Sequence, residues 1–507
     1  MVDMKCIVTK SWDEFTSHVQ AQQIAGLFGE DFDIDFANIP DKAIFLIKST
    51  QDFSLRDALL GKVSFDSGVK QEDIYALIEF CADEEKKAQE LERRTGSSNY
   101  RNLLSCLDDK EFTGILLMQQ AVRVKKADDL GPAVFTGSLT YRIPFMQITN
   151  VNFKDSQADV QAGKARGILF MSDSLNLITD GFEHFSIQVD ELYAMIEQKN
   201  FYSAQIICRL VFYEMFGKKL MNEAAVYFLG NYIATADMNG SAVRGYQLRM
   251  IQGASLYFSQ YALAAVTLSE AETIFDTVGS VPKLQLNFRG SMAFAQYNKE
   301  CDYFSYDKLP YRNFRVILTL SSKNPSVQVQ YRDILLSEEG SICREGSFLS
   351  QIPHKVPLFT CFQEAVTPEK TGCIQINAGI PQQAIQKGEW FGLMIPMELF
   401  HGISLHILFA FGEEALFYAG AGFMNGKSDM QAAISSLFRM GWKEVQIRRN
   451  DTKYLLGFRG FKVSCLGKNF PEGSANLILV PDGSRGELGW CAVYDKQKKS
   501  DGGGVGS

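Results

Sequence analysis

Hydrophobic residues recur with two periods along this chain, and the period changes with position. Residues 1–155 mix the two. Cys6-Ile-Val8 and Ala43-Ile-Phe-Leu-Ile-Lys48 read as short strands. Ser11-Trp-Asp-Glu14 has the form of a capping box opening a helix through Phe28. Gln71 to Arg94 predicts a long helix with Ile74, Leu77, Ile78 and Cys81 on one face. Its second half, Asp83 to Arg94, is dense in i,i+4 charge pairs, as on a solvated face. Ala133 to Phe153 reads as strands interrupted at Pro144.

The middle of the chain, residues 156–280, has the longer period. Glu191–Glu197, Ala204–Phe216, Glu223–Thr235 and Ala242–Phe275 each place apolar residues at helical spacing, with a break at Asn239-Gly240. From residue 281 to 495 the pattern alternates, as in Leu284-Gln-Leu-Asn-Phe288, Phe314-Arg-Val-Ile-Leu-Thr-Leu320, Val327-Gln-Val-Gln-Tyr331 and Cys373-Ile-Gln-Ile-Asn377. Asn476–Val480 and Trp490–Tyr494 predict closing strands. Lys496 to Ser507, ending Asp-Gly-Gly-Gly-Val-Gly-Ser, buries too little to fold alone and reads as a flexible tail. The expected fold class is therefore α+β multidomain: an α/β N-terminal domain, a mainly helical middle and a mixed-sheet C-terminal region.

Within that last region, Leu405 to Val463 carries a denser set of signals. His406–Phe411 and Ala415–Ala419 flank Gly412-Glu413-Glu414, a hairpin signal. Met430, Ala433, Ile434, Leu437 and Phe438 predict a helix capped at Ser428 or Asp429 and closed at Gly441. Lys443–Arg448 alternates, with Val445 and Ile447 inward, and Asp451 caps a further short helix ending at Gly457 to Gly460. This order resembles the core of the GNAT acyltransferase superfamily, across about 60 residues. The resemblance implies an acetyl-CoA pyrophosphate held by the loop and helix start at Asn425, Gly426, Lys427 and Ser428. The family's usual Arg is Asn425 here, two usual glycines are Ser428 and Met430, and the usual Tyr acid is Leu456, with Tyr454 two residues out of register. The expectation is a GNAT-like domain without catalysis and without a cofactor, with an acetyl-CoA-dependent N-acyltransferase as the alternative.

Other chemical signals change little. Ala421-x4-Gly426-Lys427-Ser428 is a loose phosphate loop lacking the usual first glycine. His401 and His406 lack the i,i+4 spacing of a helical metal pair, and Glu30–Asp35 alternates acids with Phe32, Ile34 and Phe36 as a half-buried strand does. No metal site is expected. A net charge of −8 argues against broad nucleic-acid binding, which needs a basic face. Ten cysteines without C-x-x-C spacing, no apolar signal-peptide core at Met1–Cys6 and no run of eighteen apolar residues together predict a cytoplasmic chain with no membrane span.

The whole arrangement resembles the chimallin family of jumbo-phage nucleus shell proteins, in which an α/β domain joins a non-catalytic GNAT-like domain. That resemblance implies a structural protein whose only partner is itself. Subunits would form a lattice around viral DNA in the host bacterial cytoplasm, tied by terminal or linker segments. Met1–Cys6, Lys154–Gly163 and Lys496–Ser507 are the candidate linkers. It also implies no direct contact with DNA.

Overall fold

In the computed structural model, this is a β protein. The described residues are 7–9, 17, 19, 21–28, 32–35, 45–48, 54, 56–57, 60, 71–124, 140–154, 157–171, 175–178, 184–198, 200–236, 242–259, 262–276, 283–296, 302–303, 306–319, 326–362, 373–378, 390–400, 403–411, 418–423, 431–433, 438–482 and 487–495. Four large antiparallel sheets follow one another along the chain, with a two-stranded ribbon between strands of the first.

The first sheet takes β1 (Ile7–Thr9), β2 (Phe32–Asp35), β3 (Phe45–Lys48), β4 (Gly114–Val124) and β5 (Thr140–Thr149). After the ribbon of β6 (Asn152–Lys154) and β7 (Gln157–Asp159) it adds β8 (Lys164–Met171), β9 (Leu175–Ile178) and β10 (Phe185–Glu197). It ends with β11 (Asn200–Met215), β12 (Lys218–Ala236) and β13 (Ala242–Gln252). Helices α1 (Ala21–Phe28), α2 (Gln71–Thr95) and α3 (Asn99–Leu104) belong to this part of the chain. The long helix expected from Gln71 forms, and α2 and α3 pack their apolar faces on Leu116, Phe145, Ile168 and Tyr193. Polar groups stitch this cover down. Arg94 Nη2 donates to Glu191 Oε2 at 2.7 Å, Asn99 Nδ2 to Ser203 Oγ at 3.1 Å, and the Tyr100 hydroxyl to the buried Glu84 carboxylate at 2.5 Å.

The expected helical middle does not exist. Every stretch assigned to it is strand: β10 to β13, β14 (Ala254–Tyr257) and β15 (Leu263–Asp276). Two physical causes imitate the helical period. These strands bury residues on both faces, so apolar positions are not confined to every second residue; Ile206, Ile207 and Cys208 are all buried. Bulges also break the parity. The inward set Ile187, Val189, Leu192, Ala194, Ile196 jumps by three at the irregularity between Val189 and Glu191. Asn239-Gly240 lies outside the described residues, between strands whose ends pair at Ala236 and Ala242.

The second sheet contains β14, β15, β16 (Lys283–Phe294) and β17 (Tyr306–Thr319), edged by β18 (Ser326–Gln330), β19 (Leu335–Leu336) and β20 (Ile342–Cys343). A single helical turn, α4 (Phe348–Gln351), leads to the third sheet. That sheet holds β21 (Leu358–Phe362), β22 (Ile374–Gln375), β23 (Trp390–Phe400), β24 (Ile403–Phe411) and β25 (Tyr418–Phe423). The fourth has β26 (Gln431–Ala433), β27 (Phe438–Gly441), β28 (Glu444–Asn450), β29 (Lys453–Cys465), β30 (Lys468–Asp482) and β31 (Glu487–Asp495).

Here too the expected GNAT-like order is corrected. Gln431–Ala433 and Phe438–Gly441 are paired strands where a helix was expected. The stretch after Asp451 is β29, entered by a tight turn with Asp451 at φ 54°. Val445 and Ile447 are buried, as the alternation of that strand predicts. The fold class is therefore mainly antiparallel β, neither α/β at the N-terminus nor GNAT-like at the C-terminus.

One core runs through all four sheets, from Val19 to Leu479. Aromatic contacts mark its course: Phe212 against Phe288 at 6.2 Å, Phe216 against Phe391 at 4.6 Å, Phe294 against Phe411 at 6.3 Å and Tyr303 against Tyr454 at 6.1 Å. Backbone bonds join the third and fourth sheets, with Asn377 N donating to Val445 O at 3.0 Å and Ile447 N to Asn377 O at 2.8 Å. Within Lys154–Gly163, expected as a linker, part of the described chain folds onto the first sheet's core. Lys154 pairs with Gln157 in the ribbon, and Ala158 and Val160 are buried.

Candidate functional site

Asn425, Gly426, Lys427 and Ser428, the candidate cofactor cradle, lie outside the described residues, as do His401, the Gly412–Glu414 turn, Met1–Cys6 and Lys496–Ser507. The helix that was to present its N-terminus to pyrophosphate is replaced by β26 and β27 on either side of 434–437. Among the described residues no group of three or more His, Cys, Asp and Glu could hold a metal ion. No helix is long and apolar enough to cross a membrane. Burial pushes the thiols of Cys81 and Cys208 up to about 12, and that of Cys106 higher, so these three are not nucleophiles near neutral pH.

His406 is 6% exposed on β24, and neither ring nitrogen has a hydrogen-bond partner among the described residues. Burial lowers its pKa, so it stands in the fold as a neutral imidazole. It shares its side of the sheet with Leu408 and Ala410, which pack with Cys373, Trp390 and Tyr418 in a small separate core. This is the environment of a core residue.

The feature that departs most from the rest of the fold is the far half of the β29–β30 hairpin. Along the first half of β29, Tyr454, Leu456 and Phe458 are buried on one side. At Gly460 that alternation stops, and residues from Gly460 to Cys465 are half-buried on both sides. Gly460 sits at φ +64°, with the Lys443 side chain 2.9 Å from where a Cβ would stand, so only glycine fits. Register shifts between Phe458 and Phe461 and between Phe461 and Val463 re-aim the strand there. Beyond them Val463 pairs with Phe470, Ser464 with Asn469 and Cys465 with Lys468. Leu466 and Gly467, at φ 49° and 80°, close the hairpin in the left-handed conformation that matches strand twist.

The resulting arm carries apolar side chains into solvent. Leu466 is 75% exposed and Phe470 53%. Lys462 and Lys468 lie on the arm, and Arg439 is next to it, its backbone facing Ser464. The arm's sheet also ends on β31, Glu-Leu-Gly-Trp-Cys-Ala-Val-Tyr-Asp, whose outer edge pairs with no described strand. It has no lysine, proline or bulge of the kind that guards such edges. Leu335 on β19, Ile342 on β20 and Leu358 on β21 are also exposed, each at 45–54%. The arm was within reach of the sequence: Phe461-Lys-Val-Ser-Cys and Lys-Asn-Phe470 alternate around Leu-Gly. Leu-Gly is a weaker turn signal than Asn-Gly. No family model, curated protein or solved structure matches the chain.

Proposed function

We propose that this chain is a structural subunit that associates with copies of itself, and that the β29–β30 arm makes the contact. The observation that carries the reading is the exposure of Leu466 and Phe470 at the end of an ordered hairpin that outruns its own core. Full burial of either side chain is worth about 1.5–3 kcal/mol, which a monomer forgoes. The occupant that best fits the arm is a second copy. The tip is locally basic while the chain as a whole carries −8, so another copy attracts it. Exposed apolar side chains elsewhere on the chain, Leu335, Ile342 and Leu358 among them, are candidates to receive the arm. A contact between unlike patches is heterologous, and it propagates into rings, sheets or shells rather than stopping at a dimer. Two apolar side chains alone hold weakly after association entropy is subtracted, so stable assembly rests on several such contacts per particle.

The test is size exclusion with light scattering and electron microscopy of the same fractions, on the wild type and on Leu466→Asp/Phe470→Asp. The wild type is expected above the 56.8 kDa monomer and the variant at it. A wild type that stays monomeric at ~50 µM, above the micromolar range of weak interfaces, contradicts the proposal.

A further inference from the structure

On the helix-covered face of the first sheet, three polar residues from distant parts of the chain line up across neighbouring strands. Gln147 on β5 pairs with Arg166 on β8, and Arg166 pairs with Glu197 on β10. Helix α3 stands over this row and contributes Asn99, Asn102 and Leu103, with Met195 and Ile196 completing the wall. Between them is a half-open cleft of about 200 Å³, room for several waters.

The chemistry of the lining is specific. Arg166 Nε donates to Glu197 Oε1 at 3.1 Å, so the two charges compensate each other. Asn99 donates to Ser203 Oγ at 3.1 Å, and the exposed Asn102 donates to Ser98 Oγ one turn back on the helix at 3.3 Å, which leaves each carbonyl oxygen to other partners. Gln147 is 9% exposed, and its carboxamide has no hydrogen-bond partner among the described residues. Its amide opens onto the cleft, where water pairs it. A ligand that both donates to and accepts from it takes the place of that water.

We infer that this cleft binds a small neutral polyol of monosaccharide size. A charged ligand finds no uncompensated partner, because Arg166 and Glu197 already neutralise each other. An apolar ligand displaces water from Gln147 and from the asparagine carbonyl oxygens without replacing its hydrogen bonds. Vicinal hydroxyls, each a donor and an acceptor, match three carboxamides that offer both. Leu103 and Met195 supply the apolar wall against which the C–H face of a ring rests. Sequence inspection does not reveal the site, because 50 positions separate Gln147 from Glu197 and only strand register unites them.

The test uses the full chain. Saturation-transfer NMR, followed by titration calorimetry, is run with glucose, mannose, galactose and N-acetylglucosamine, and with glycine, acetate and inorganic phosphate as charged probes. At least one sugar is expected to bind with millimolar affinity and the charged probes not to bind. Gln147→Leu, and separately the exposed Asn102→Ala, should each weaken the sugar about tenfold, ~1.4 kcal/mol. Leu466→Asp/Phe470→Asp should leave sugar binding unchanged, which separates this site from the arm. Asn102→Ala keeps the test valid should Gln147→Leu fail to fold. Absence of sugar binding to the wild type, binding of a charged probe in its place, or full binding by Asn102→Ala overturns the inference.

Discussion

The helix-covered face of the first sheet and the far half of the β29–β30 hairpin are built from the same material and end differently. On the first, α2 and α3 lie over Leu116, Phe145, Ile168 and Tyr193, and the polar groups at the margin find partners in Glu84, Glu191 and Ser203. On the second, the strand pair continues past the point where the core stops, and Leu466 and Phe470 stand in solvent. Cover turns an apolar face into stability. An ordered apolar surface without cover contributes little to the monomer and is left for a partner. Mutations in the two regions should therefore fall on different measurements.

The largest effect is expected from Phe145→Ala. Phe145 is fully buried beneath the helices, and removing its ring should cost about 3–5 kcal/mol, read from denaturant unfolding. Tyr100→Phe should cost less, about 1–3 kcal/mol, because it strips the hydroxyl from the buried Glu84 carboxylate while keeping the packing. A change near zero in either variant would mean that the helices are not a true cover. His406 gives a smaller effect with a definite sign. Its folded pKa lies below the free value of about 6.5, so the unfolded chain binds the extra proton first. Its contribution is complete above about pH 6.5 and is lost as pH falls from there through the folded value. His406→Leu should flatten that part of the wild-type stability profile, and parallel profiles would contradict it. Smallest of all, Leu466→Ala and Phe470→Ala should shift unfolding by no more than about 0.5 kcal/mol each, while lowering the assembly state.

The same contrast explains what the sequence reveals. Strands buried on one face are legible: Leu284, Leu286 and Phe288 are buried and alternate with Gln285 and Asn287 as their spacing predicts. The long helix α2 is legible through Cys81 and the charge pairs that follow it. Strands buried on both faces are not, because Ile206-Ile207-Cys208 satisfies a helical template as readily as a sheet, and the bulge after Val189 supplies the three-residue step. Nor is the GNAT-like reading of Met430–Phe438 decided by local spacing. The pairing of Gln431 with Gly441 and of Phe438 with Cys465 is non-local and makes strands of Gln431–Ala433 and Phe438–Gly441. The arm is half legible, as alternation around Leu466-Gly467, but its exposure depends on where the core ends, beyond Val463. The polyol cleft depends wholly on register.

The most direct measurement is hydrogen exchange of the wild-type chain across a concentration series. The account predicts that amides from Val463 to Phe470 gain protection as concentration rises, while those of β10 and β11 stay unchanged. Assembly that grows with concentration while the arm's amides exchange at the dilute rate would contradict it.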